Sequence, residues 1–210
     1  MTNVLSGIRA DRRLSYRKLE SIARHVRTYL NLPPNQAIDA HHLFENLDQI
    51  RIKTMAGQII PLRERVDNLQ DTEGYTRYDE QKKMMEIVAS AETYAGLEVG
   101  LPRSAYFVAH ELGHCVLHTD QLVRLARLPT TQQQAAFHRG RADHKTYEDT
   151  EWQANAFAGA LLMPAQGIRE LEQEQQSINT PMIATQFRVS LEAARYRLDL
   201  YQERREELLR

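Results

Sequence analysis

The chain has 210 residues, 27 Lys and Arg against 28 Asp and Glu, and 42% hydrophobic content. That length fits one compact domain with a real core, and a net charge of −1 gives no general pull toward nucleic acid or membranes. Its one cysteine, Cys115, excludes an intrachain disulfide. With no secretory-type N-terminus and no apolar run near the roughly 18 residues of a membrane span, the expected location is the reducing cytoplasm.

Residues 1–14 are polar and basic, with Arg9, Arg12 and Arg13, and are expected to form a flexible tail. Ser15 can cap a helix in which Leu19, Ile22, Ala23, Val26, Tyr29 and Leu30 recur at helical spacing, ended by Pro33 and Pro34. Asp39 can cap a short second helix through Leu43, Phe44 and Leu47. His41 and His42 fall in its first turn, where adjacent side chains point about 100° apart and cannot readily share a metal. Ile50 to Lys53 alternates like a half-buried strand, and Gln58 to Leu62 continues it or pairs with it. After a polar loop from Asp67 to Gly74, Tyr75–Tyr78 and Lys83–Val88 flank a polar turn, as in a hairpin. A small antiparallel sheet is the expectation. Its edge could bind an extended peptide by strand addition.

The apolar run Ala105–Ala109 leads into His110-Glu111-Leu112-Gly113-His114. On a helix, His110 and His114 project from one face and can grip one Zn²⁺. Glu111 can then take a proton from a water on that metal. Cys115 turns off the ligand face and reads as core filler. The helix is expected to end near Thr119 and Asp120. His118 lies one turn past His114 but drifts around the helix, which suggests a structural or surface role.

A catalytic zinc needs a third protein ligand and one open position. Glu151, opening the helical segment EWQANAFAGALLMP, is the best candidate, with Glu148 in reserve. Asn155 shares Glu151's face and can hydrogen-bond a ligand histidine, fixing its orientation. Glu151 could instead only favour the helix N-terminus through the dipole. The polar insert 121–150 is the least legible stretch, a lid or disordered. His138, His144 and Tyr147 in it are equal candidates for stabilising a tetrahedral oxyanion.

Gln166 to Gln176 reads as a solvated helix, and Thr180 with Pro181 opens the next. Ile183, Phe187, Val189, Leu191, Ala194, Leu198 and Tyr201 supply a buried face across two helices broken near Val189 and Ser190. The pattern is helix-turn-helix-like. Arg188, Arg195 and Arg197 add positive charge, but Glu192, Asp199, Glu203, Glu206 and Glu207 offset it. A DNA reader should carry a clear basic face, so the segment is expected to pack beside the core.

HELGHCVLH followed by EWQANAFAGALLMP resembles the ImmA/IrrE family of zinc metallopeptidases. A further similarity lies at Ile183 to Ala194, and together the matched residues span about 103 to 200. The expected fold is α+β: a mostly helical zincin-like metallopeptidase core with a small antiparallel sheet over residues 15–165, and a helical segment over 166–210 packed on it, while the N-terminal half resembles the family only in general layout. The resemblance implies zinc on His110, His114 and Glu151, with Glu111 as general base. It also implies endopeptidase action on a specific protein, typically a helix-turn-helix repressor or antitoxin, in stress responses or toxin–antitoxin pairs. One departure is Gln153, where relatives often carry Glu. The alternative is a non-proteolytic DNA-binding or toxin/antitoxin-type interaction protein with a retained metal site. A purely structural site has no need of Glu111, which favours hydrolysis.

Overall fold

The computed structural model describes residues 8–129 and 144–210. Helix α1 (Tyr16–Tyr29) starts where the Ser15 hydroxyl accepts the Lys18 N–H. Its inner face buries Leu19 and Ala23 completely. Asn31 then turns the chain at φ 55° ahead of the two prolines. Helix α2 (Ala40–Glu45) is capped by Asp39, whose carboxylate accepts the His42 N–H at 2.9 Å.

The sheet contains β1 (Arg51–Lys53), β2 (Ile59–Asp67), β3 (Gly74–Asp79) and β4 (Met84–Ser90). Their order is β1-β2-β4-β3. β1 and β2 form one antiparallel pair, and β3 and β4 the expected hairpin. β2 and β4, however, run parallel, so the sheet is mixed rather than antiparallel throughout. Burial explains the difference. β4 is buried from Met85 to Ser90, as a central strand must be, whereas β3 stays partly exposed over most of its length. The polar loop after β2 therefore carries the chain past the centre to the edge, and the hairpin brings β4 back beside β2.

Ser90 caps α3 (Ala91–Glu98), and Pro102 opens the long helix α4 (Pro102–Ala126). Its 25 residues span about 37 Å. It runs two turns beyond the expected end near Thr119, because Gln121, Val123 and Leu125 are buried as well. Part of that burial comes from residues 8–14, which do not hang free as expected of a tail. The Ala10 N–H donates to the Glu148 carbonyl, and the Thr150 N–H donates to the Ile8 carbonyl. Gln121 bonds the main chain of Arg9 and Asp11, and Arg124 pairs with Asp11 at 2.7 Å. Ala10 and Leu14 are buried beneath this strap. Two apolar residues in a basic stretch are too weak a pattern to reveal it.

Helix α5 (Thr150–Leu162) packs against both α4 and α1. Asp149 caps it by accepting the Trp152 N–H at 2.9 Å. The remaining helices are α6 (Ala165–Gln175), α7 (Thr180–Phe187) and α8 (Leu191–Leu208). The chain breaks between α7 and α8 with Arg188 at φ 53°, and Ser190 caps α8. Among the described residues, no helix is long and apolar enough to cross a membrane.

Arg197 does not join the surface charge of this C-terminal segment. It is 2% exposed, donates from Nε to the Met163 carbonyl and pairs through Nη2 with Glu20 of α1 at 2.5 Å. The other Glu20 oxygen accepts the Ala165 N–H. One buried ion pair thus ties α8, α1 and the start of α6 together. Glu20→Ala should cost about 3–5 kcal/mol by leaving a buried guanidinium without its counter-charge. Urea unfolding measures this directly, and a loss below about 1 kcal/mol would show that Arg197 finds water instead.

Candidate metal centre

Helix α4 presents His110 and His114 on the face turned to α5, and α5 answers with Glu151 in its first turn. His110 Nε2 lies 3.1 Å from Glu151 Oε2, and His114 Nε2 lies 3.3 Å from Glu151 Oε1. The two Nε2 atoms are 3.0 Å apart. Three donors at about 2.1 Å from a tetrahedral zinc stand about 3.4 Å from one another, and each histidine nitrogen lies near that distance from one oxygen of Glu151, so the group is of a size to hold that ion. Two neutral imidazoles and a carboxylate are also the donor set that zinc accepts. Among the described residues, these three are the group of metal-binding type whose ligand atoms converge.

The helices can approach this closely because of small residues. A Cβ on Gly113 would stand 3.0 Å from the Phe157 ring and 3.3 Å from the Ala154 backbone. The glycine between the two histidines thus marks the contact between α4 and α5.

Electrostatics inside the triangle favours a charged carboxylate. Burial opposes the charge on Glu151, but hydrogen bonds from His110 and His114 outweigh it and hold its pKa well below the usual range. Burial likewise opposes charge on His110, yet Glu151 and the nearby Glu111 raise its pKa overall. A cation between these groups would replace the protons that the histidines otherwise use.

Each histidine has a second partner that fixes its ring. His110 Nδ1 is 3.0 Å from the Asn155 side-chain oxygen, one turn after Glu151 on the same helix face. The Tyr106 hydroxyl donates to the same residue at 3.3 Å, and burial pushes its pKa up to about 12. Tyr106 lies four residues before His110, a spacing that would have flagged it in the sequence. His114 Nδ1 faces His118 Nδ1 at 3.2 Å, and His118 Nε2 faces the Gln153 carbonyl oxygen at 3.1 Å. His118 is therefore buried against its neighbours, not at the surface. Burial, followed by the proximity of His114, lowers its pKa to about 4.

Glu111 is 8% exposed, and the Thr76 hydroxyl of β3 donates to its Oε2 at 2.7 Å. No pattern in the sequence pairs these residues, since 35 positions separate them. The Cys115 thiol donates weakly toward the same hydroxyl at 3.9 Å, and burial pushes its pKa far up. It is inert core, as its helix position suggested.

The other candidates fall outside the triangle. Glu148 is buried and pairs with Arg13 at 2.7 Å and Arg9 at 3.4 Å, holding the N-terminal strap. His144 is buried with its Nε2 3.0 Å from Asp149, the cap of α5. Tyr147 is partly exposed with Lys145 over its ring, and its carbonyl accepts a Gln153 N–H. His138 lies outside the described residues.

Residues 99–199 match the family model described as the IrrE N-terminal-like domain, Peptidase M78. A solved Mycobacterium tuberculosis transcriptional regulator resembles the chain at 18% identity and a TM-score of 0.48, over 86% of this chain. This chain spans 46% of that protein's length. Among curated proteins, none matches.

The pKa of His118 makes a prediction about stability. Its folded value of about 4 lies below the ordinary 6.5, so the unfolded chain takes up the proton first as pH falls. Stability present above pH ~6.5 is then lost toward pH ~4, up to about 3 kcal/mol. Urea unfolding of chelator-treated protein checks it. Between pH ~7 and ~5, wild type should lose about 2 kcal/mol more than His118→Phe, and equal losses would contradict the neutral buried ring.

Proposed function

Taking residues 99–199 as an IrrE N-terminal-like domain of the Peptidase M78 family, we propose that this protein is a zinc-dependent endopeptidase acting on a specific protein in the cytoplasm. The observation that carries the reading is the convergence of His110, His114 and Glu151 with Glu111 anchored one residue along the same helix. A structural metal site would need the three ligands but not the fourth group. Zinc held there would supply a polarised water and share the negative charge of the tetrahedral oxyanion.

The chain's own residues do the rest. Glu111 accepts the water's proton and later delivers it to the leaving amine. The Thr76 hydroxyl holds one oxygen of that carboxylate, which leaves the other to serve as the base. Asn155 keeps His110 turned so that its Nε2 faces inward. Tyr147 is the remaining described candidate for a hydrogen bond to the oxyanion, since His144 is engaged with Asp149.

β3 is an edge strand with β4 as its neighbour in the sheet, and Thr76 sits on it. An extended substrate could add to that edge through main-chain hydrogen bonds and lie beside Glu111. The resemblance to the ImmA/IrrE family suggests a helix-turn-helix repressor or antitoxin as that substrate. DNA binding by the chain itself is less favoured, because one of the three arginines counted for it, Arg197, is buried in an ion pair.

Metal analysis by mass spectrometry is the test. Wild type purified without added metal should carry about one zinc per chain, and Glu151→Ala should lose it. Unchanged zinc in the mutant would remove Glu151 from the ligands. Glu111→Gln should keep zinc and lose turnover by at least about a hundredfold against the cleaved partner. A stable complex with an uncut partner in wild type would instead bring the interaction-protein reading forward.

A further inference from the structure

We infer that Gln153 and His118 form a hydrogen-bonded relay that fixes a proton on His114 Nδ1, so that Nε2 is the nitrogen presented to a metal. The inference rests on the metal-centre reading and adds two positioning residues to it.

Gln153 is fully buried. Its side-chain nitrogen donates to the Arg12 carbonyl at 2.7 Å and the Tyr147 carbonyl at 2.9 Å. Both N–H groups are engaged by acceptors that cannot donate. The reverse amide orientation would press the oxygen against two carbonyls, so the orientation is decided by the surroundings. The amide oxygen must therefore face His118 Nε2, 3.1 Å away. That oxygen only accepts, so His118 must carry its proton on Nε2.

His118 Nδ1 is then bare in the neutral ring. It lies 3.2 Å from His114 Nδ1, a hydrogen-bond distance that needs one proton between the two nitrogens. Only His114 can supply it. His114 is thus protonated on Nδ1, so Nε2, which faces His110 Nε2 and Glu151, is the nitrogen left to give up its proton and bind a metal. A doubly protonated His118 would reverse this and turn the His114 lone pair away, but it would be a buried cation whose two nitrogens face an imidazole and an amide rather than a carboxylate.

Two main-chain carbonyls therefore decide the chemistry of a side chain three links away. One belongs to Arg12 in the N-terminal strap and the other to Tyr147 before α5. Docking of the strap and preparation of the ligand are coupled through Gln153. His110 needs no such chain, because Asn155 meets it directly.

The experiment combines tautomer and affinity readouts. Imidazole ¹⁵N spectra of chelator-treated wild type should show His118 protonated at Nε2 and His114 at Nδ1. His118 protonated at Nδ1 would overturn the inference. Zinc affinity, read by competition with a chromophoric chelator, should fall about 10–100-fold in His118→Leu. His118→Asn keeps an acceptor opposite His114 Nδ1 and should recover most of that loss, which a role in packing alone would not produce. Zinc uptake by wild type with equal affinity in His118→Leu overturns the relay alone. No zinc uptake by wild type, with added zinc present, overturns the metal-centre reading and the relay together.

Discussion

The close approach of α4 and α5 at Gly113 is the constraint on which the site depends. Glu151 reaches both histidines because the helix carrying it can lie against the helix carrying them, with no side chain at Gly113 to hold Ala154 and Phe157 away. A wider crossing would pull the carboxylate out of the triangle. Close packing also buries His118 and Gln153 beside the crossing, so their polar atoms must find protein partners. The side chains of the site are aimed by their neighbours: Asn155 for His110, His118 and Gln153 for His114, and Thr76 for Glu111.

The rest of the fold serves that crossing from several sides. The sheet backs α4 through β3, which brings Thr76 to Glu111. Helix α1 also packs on α5 and is tied to α8 by Glu20 and Arg197. Residues 8–14 cross the start of α5 and the end of α4, pairing with Glu148, Thr150, Gln121 and Arg124. The strap therefore lies within the framework that holds the two histidines and Glu151, though its composition resembles a solvated tail.

Much of this is legible in the sequence because it is local. Helical spacing marks α1, α4 and α5, cap residues mark where α1 and α2 begin, and the polar turn marks the β3–β4 hairpin. The pair His110 and His114 comes from one helical turn, and Glu151 with Asn155 from another. The parallel pairing of β2 and β4 is not legible, since alternation along a strand says nothing of which strand lies beside it. The full length of α4 is hidden because its last turns are buried by a segment more than a hundred residues earlier in the chain. Arg197 looks like surface charge because its counter-ion is 177 positions away.

The candidate ligand types, their spacing along each helix and the resemblance to the ImmA/IrrE family are already present in the order of amino acids, because these depend on the 3.6-residue period and on residue chemistry. Only in three dimensions is it decided that the two ligand helices meet at Gly113, that Thr76 holds Glu111, and that His118 and Gln153 face His114. Most of those are contacts between distant segments. They arise because burying each apolar face brings particular polar groups together, and those taken out of water, such as His118 and Gln153, must be matched within the protein.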